Sequence, residues 1–278
     1  MEKLIKQTTA YKILSGDRRG GTLSHAYMLR FRDAKNLRAA LKLFAAEFFG
    51  AEKDTQLYNR VMHESLTDLS VYPEPGKKIT VDGVTSLIAD SALKPVELGK
   101  KLYIISGFDE ASPLVQNKLL KTLEEPLDGI HFLLGVTSSA PVLETVLSRV
   151  KMLDIPPFTE AQIYEALERQ GHNELNAAAA GSSGGVLGDA ENIINGGWFK
   201  DVYAAATEIC GVTDVSDIAP TAQKYGDIKY KKELVAEMQR QYFTALTKGG
   251  GSAAKHTSPA LLFAVEGCAE ANADVRFN

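Results

Sequence analysis

Cysteine is nearly absent from this sequence. Cys210 and Cys268 are the only two in 278 residues, and they stand far apart. Two thiols cannot by themselves make a four-ligand zinc site, and no disulfide framework can be read from them. A reduced, cytoplasmic setting is expected, with both thiols packed or partly exposed. Long apolar runs are also missing, so no membrane span is expected. The N-terminal MEKLIKQTTAYKIL has no apolar h-region, so no secretory signal is expected either. Cations do not outnumber anions: 31 Lys and Arg stand against 35 Asp and Glu, a net charge of −4. That balance excludes a global electrostatic case for nucleic-acid binding and leaves only local contacts. His25, His63, His131, His172 and His256 lack metal-ligand spacing, so no metal site is expected. His25 is expected to pack or cap at the start of a strand. No Ser-His-Asp or Cys-His constellation can be argued from the spacing, and there is no internal repeat.

What is present is 45% hydrophobic, ample for packed cores, in a length suited to two or three domains. The first half alternates strand and helix signals. Strands are expected at His25–Arg30, Asp68–Tyr72, Lys101–Ser106, Ile130–Val136 and Lys151–Ile155, with a minor one at Ile79–Val81. Helices are expected at Ala34–Phe49, Val84–Leu93, Pro113–Glu124 and Val142–Arg149. In the first, Leu37, Ala40, Leu41, Phe44, Ala45 and Phe48 follow the spacing of one buried face, and Asp33 is the expected N-cap. Strands separated by helices imply right-handed crossovers and a parallel sheet covered on both faces. Pro156-Pro157 stops that pattern. Beyond it the signals are helical: Thr159 with Gln162 forms a capping-box start, and Phe199–Cys210, Lys231–Lys248 and Pro259–Ala273 read as helices. Gly249–Ser252 reads as a flexible break, and Asn195-Gly-Gly197 as a second boundary. Trp198 and Phe199 are expected to anchor a core rather than stack on bases. The expected fold class is α/β followed by all-α, divided at 1–157, 158–196 and 197–278.

The most informative stretch is Lys101–Pro126, KLYIISGFDEASPLVQNKLLKTLEEP. A short apolar strand is followed by Ser112-Pro113, which opens a helix, and by LLKTLEEP, which closes it. This block resembles the clamp-loader family of AAA+ replication ATPases. Other pieces occur in the family's order. His25-Ala-Tyr27 resembles its first core strand, Asp68-Leu69 the strand before a proline-rich turn, and Phe132–Thr137 the strand carrying the first nucleotide sensor. Leu147-Ser148-Arg149 resembles its Ser-Arg-Cys motif with Val150 for the Cys, and Gly184–Ala190 the start of its lid. The resemblance runs from about His25 to Ile194, and less clearly to the end. It implies an AAA+ core, a small helical lid and a helical collar. Family members continue past Asn278 with at least another helix, so the collar is expected to be short or truncated.

The resemblance also shows what is missing. A phosphate-binding loop needs glycines, a Lys and a Ser or Thr for Mg²⁺. Arg30–Arg38 has no glycine. Leu37 falls on the lysine position and Arg38 on the hydroxyl position. Arg30, Arg32 and Lys35 leave two readings open: an anion-attracting cluster or a solvated basic turn. The family's catalytic Asp-Glu pair is replaced by Ser106 and Gly107. Asp109 and Glu110 fall in the following turn, where they are expected to cap or flank the next helix. The lid's phosphate-contacting Arg is matched by Asp189. A non-hydrolysing member with no bound cofactor is therefore implied. Ser148 and Arg149 survive, and the resemblance implies that Arg149 acts in trans on ATP held by a neighbouring motor subunit. Read from residue type alone, Arg149 could instead pair with a local carboxylate. Thr137 is expected to be a strand-end hydrogen-bonding residue, and Glu124 and Glu125 an interface.

The implied partners are the clamp-loader motor subunits, a delta subunit, a sliding clamp and primed-template DNA, with no membrane. The family's way of tracking DNA points to Ser112 and the segment after Gly76-Lys77-Lys78. Two alternatives stay open: a divergent AAA+ ATPase that retains turnover, and an AAA-like scaffold outside replication.

Overall fold

The structure, a computed structural model, describes residues 1–171, 175–211, 215–217, 220, 224–225 and 229–248. The Pro259–Ala273 helix, the Gly249–Ser252 break, Cys268, His172 and His256 lie outside the described residues. By contact the chain divides into two compact units. The first comprises Met1–Phe158 with Val186–Gly188, and the second Thr159–Gly185 and the residues from Asp189 onward.

The first unit is built on five strands: β1 (Ala26–Phe31), β2 (Leu69–Tyr72), β3 (Lys101–Ser106), β4 (Ile130–Val136) and β5 (Lys151–Ile155). Their order is β2-β3-β4-β1-β5, and every pairing is parallel. The central strands read as continuous apolar runs because helices cover both faces of such a sheet. In register, Tyr103 of β3 lies opposite Phe132 of β4, and their rings stack with centroids 5.5 Å apart. The Leu37–Phe49 helix buries all six of its expected core positions. It approaches β4 closely because Gly135 has no side chain; a Cβ there would lie 2.5 Å from a Leu41 methyl carbon.

Ser and Thr N-caps explain many of the helix starts. Thr8, Thr55, Thr80, Ser112 and Thr159 each accept a hydrogen bond from the backbone N–H three residues on. Thr159 and Gln162 form the full capping box. Thr80 also explains a correction. Ile79–Val81 is not a strand, because the Thr80 cap and Asp82 in the first turn start a helix that runs Val81–Asp90. The helix at Val142–Arg149 is shorter than expected, Glu144–Leu147. Two N-terminal helices, Glu2–Gln7 and Thr9–Arg19, and a further one at Gln56–Met62 had no counterpart in the sequence reading.

The second unit contains the helices Glu160–Glu168, Asn176–Ser182, most of Leu187–Asn195, Trp198–Cys210 and Lys231–Lys248. Val202, Ala205, Ala206, Leu234 and Met238 form a core cluster, and half-buried Trp198 packs against it. Phe199 is buried beside Trp198 with its ring edge-on, 5.6 Å away. Cys210 is half-buried. No helix among the described residues is long and apolar enough to cross a membrane.

Candidate functional site

The parallel sheet has two ends, and the residues singled out by sequence gather at both. At the carboxyl ends of the strands lies a cavity of about 220 Å³. Leu37, Arg38, Ser106, Gly107 and Thr137 line it, with Lys77, Lys78 and Asp109. Leu37, Arg38, Ser106 and Gly107 thus share one site, and Asp189 stands in the first turn of the Leu187–Asn195 helix.

At these positions the chain places an apolar side chain, a paired arginine and a glycine in a turn. Leu37 is buried and apolar. Each nitrogen of the Arg38 guanidinium makes a contact: Nε and Nη2 donate to the two Glu64 carboxylate oxygens at 2.9 and 2.6 Å, and Nη1 to the Pro73 carbonyl at 2.6 Å. Burial works against the Glu64 carboxylate, but the Arg38 contacts outweigh it and hold its pKa below the ordinary glutamate value. Gly107 turns the chain out of β3 in the left-handed region, φ +73°, which a glutamate would adopt only with strain. Arg30, Arg32 and Lys35 do not line the cavity. Arg30 instead forms a two-pronged pair with Asp154, at 2.7 Å on each arm.

Where a phosphate loop would follow β1, the chain makes a turn closed on a buried carboxylate. Asp33 accepts from the Asn36 backbone N–H, from the Asn36 side chain and from the Gly188 N–H. This corrects its role as N-cap: the helix begins at Leu37, Asn36 occupies the cap position, and Asp33 ties the turn shut. Gly188 is required for that approach, since a Cβ would come within 2.3 Å of Asp33 Oδ1. Asp109 and Glu110 do lie in the turn after β3, Phe108–Glu110. Ser112, not Asp109, caps the next helix; Asp109 Oδ2 accepts from the backbone N–H groups of Thr137 and Ser138 and from the Thr137 hydroxyl.

Arg149 stands at the other end of the sheet. It lines an open cleft of about 600 Å³ with Ser24, His25, Glu124, Ser148 and Lys151, beside the first residues of β1 and β5. Its Nη2 meets Glu124 Oε1 at 2.6 Å. Its Nη1 donates to the Thr145 carbonyl at 2.6 Å and to Ser148 Oγ at 3.0 Å. The carboxylate that pairs with it comes from the end of the Pro113–Glu124 helix, where the macrodipole disfavours an anion and a cation relieves it. Glu125 is exposed at that helix's C-cap. His25 neither packs nor caps with its side chain, which is exposed; only its carbonyl is used, accepting from Phe132 N–H.

One supporting residue was not found from sequence. Gln116 is 1% exposed, and its side-chain amide donates to the Ala111 and Pro141 carbonyls while its oxygen accepts from Leu143 N–H. It fixes the loop that leads into Glu144–Leu147 and so to Arg149. A polar residue beside Val115, Leu119 and Leu123 on the buried helix face was the available signal.

The strand order and the cavity at the strands' carboxyl ends are those of an AAA+ core of the P-loop type. The chain belongs to the DNA polymerase III delta subunit family, whose model matches residues 6–159. It is 29% identical over 170 residues to the DNA polymerase III subunit delta′ of Bacillus subtilis, covering 59% of this chain and 52% of that protein. It is 34% identical over 106 residues to the subunit delta′ of Haemophilus influenzae, covering 38% of this chain and 32% of that one. The chain thus spans about half or less of the curated relatives it matches. A Thermotoga maritima RuvB variant is similar in structure at a TM-score of 0.49 and 14% identity, covering 94% of this chain and 86% of that one.

Proposed function

We propose that this chain is a non-hydrolysing subunit of a bacterial DNA polymerase III clamp loader that supplies Arg149 in trans. The observation that carries this reading is the separation of Arg149 from the chain's own cavity. Arg149 borders the amino ends of β1 and β5, whereas the cavity lies at the strands' carboxyl ends. Six residues of β1 span about 20 Å, too far for one side chain to bridge. Arg149 therefore serves a phosphate brought by a neighbour or none at all. A guanidinium is planar and permanently charged, suited to the charge that develops on a transferring phosphoryl group. Ser148 helps to seat it.

At the family's lysine, hydroxyl and acidic-pair positions this chain carries Leu37, Arg38, Ser106 and Gly107, so in this reading it turns over no ATP itself. Its role is that of a rigid partner in the cytoplasm, joined to motor subunits and a delta subunit. The assembly would open a sliding clamp and place it on primed-template DNA. In this reading 1–157 is the core, 158–196 the lid and 197–278 the collar, with Glu124 and Glu125 at a subunit interface.

The test is ATP turnover by the matched motor subunits assembled with wild-type chain or with Arg149→Ala. An arginine supplied in trans is worth about 10³–10⁵ in rate. A fall of at least about tenfold at the site it serves, in an assembly that still forms, is the expected result. Equal turnover would refute the in-trans role. It would favour a second reading, a scaffold in which Arg149 only joins Glu124 to its own short helix, as its contacts within the chain allow.

A further inference from the structure

We infer that Glu124 is a positioning residue that parks Arg149 in a folded-back pose, and that Arg149 must leave Glu124 to act. This rests on the in-trans reading of Arg149 given above. A guanidinium has five N–H groups. Two on Nη1 are taken by the Thr145 carbonyl and Ser148 Oγ, and one on Nη2 by Glu124. The terminal edge that would grip a phosphate with two parallel bonds is therefore occupied from within the chain. The side chain is 33% exposed although it borders an open cleft. It lies back along its own helix, bonded to a carbonyl four residues earlier, rather than reaching outward.

Glu124 is the one charged member of this arrangement. The Thr145 carbonyl and Ser148 hydroxyl are neutral. An ionised acceptor makes a hydrogen bond roughly twice as strong as a neutral one. Glu124 also gains from the contact, because its helix end presents unpaired carbonyls that repel it. The pair is partly exposed, at 33% and 44%, so its hold is modest and reversible. A strongly charged triphosphate on a neighbour can displace the carboxylate. Without a neighbour, the carboxylate keeps the guanidinium covered. The apparent strength of the in-trans contact is reduced by the fraction of time Arg149 is parked.

Glu124→Gln keeps the shape and removes the charge. Two measurements on wild-type, Glu124→Gln and Glu124→Asp chains test the inference. In the chain alone, phenylglyoxal adduct formation at Arg149, followed by mass spectrometry, should rise about two- to fivefold in Glu124→Gln, as expected for loss of a weak exposed pair. Arg30, paired elsewhere, should be unchanged. In the assembled loader, ATP turnover should rise by a similar factor in Glu124→Gln and stay near wild type in Glu124→Asp. It should not respond to Glu124→Gln once Arg149→Ala is present. An unchanged adduct rate overturns the inference. So does a fall in turnover with Glu124→Gln, which would make Glu124 a guide holding Arg149 in its working pose. If Arg149→Ala leaves turnover intact, the in-trans reading fails, while the adduct rate still decides whether Glu124 covers Arg149.

Discussion

Replacing Gln116 by leucine should loosen the segment that carries Arg149 without touching Arg149 itself. Leucine is close in volume, so the change removes hydrogen bonds rather than opening a cavity. Three partners lose their contact: the Ala111 carbonyl, the Pro141 carbonyl and the Leu143 N–H. Pro141 is exposed, so water can replace its bond. Ala111 is buried, and its carbonyl left unpaired costs about 1–3 kcal/mol; Leu143 is half-buried, so its N–H costs about 1 kcal/mol. The sum is about 2–4 kcal/mol, a large share of a domain's stability. The Glu144–Leu147 helix depends on it most directly, since the Val146 and Leu147 N–H groups both donate to the Leu143 carbonyl. Hydrogen exchange read by mass spectrometry on peptides covering residues 139–150 is the assay. Protection of those amides should fall roughly 30- to 700-fold, the factor equivalent to 2–4 kcal/mol. A change below about threefold, or one spread evenly over the first unit, would refute the reasoning.

Two other perturbations follow from the same geometry. Introducing an acidic pair with Ser106→Asp and Gly107→Glu should yield no ATP turnover if, as proposed, Leu37 and Arg38 stand at the phosphate positions. It should also destabilise the first unit by about 1–2 kcal/mol, since residue 107 has φ +73°; measurable hydrolysis, or an unchanged urea midpoint, would count against this account. Stability should fall with acid in two steps. Burial pushes the His131 pKa down, so the unfolded chain takes up that proton first and stability declines below about pH 6.5. Asp154 is held below the ordinary aspartate value by Arg30, and Glu64 below the ordinary glutamate value by Arg38, whose contacts outweigh burial; both contributions are present above about pH 4.5 and lost as pH falls below it. Urea midpoints across pH 3–8 check this, and His131→Gln should abolish the upper step and leave the lower.

The sequence by itself determined the sheet and the identity of its core. Apolar runs bounded by turn residues placed all five strands within about a residue; for central β1, β3 and β4 the reason is that a strand buried on both faces tolerates little else. The Leu37–Phe49 face was legible for the same reason: periodic burial leaves a periodic pattern. Short-range competition was less so. Thr80 turned an apparent strand into a helix through one local hydrogen bond, and Asp33 closed a turn instead of capping a helix through bonds from Asn36 and Gly188.

Only the tertiary structure decided what the surviving polar groups touch. Glu124 and Arg149 lie 25 positions apart, Arg38 and Glu64 lie 26 apart, and Gln116 reaches Leu143 across 27. No periodicity links such pairs. They meet because parallel strands return each crossover to the same sheet ends, one collecting the cavity around Arg38 and Ser106 and the other Arg149. Composition and pattern fix which residues are buried, while the partner of a charge is set by the path of the chain in space.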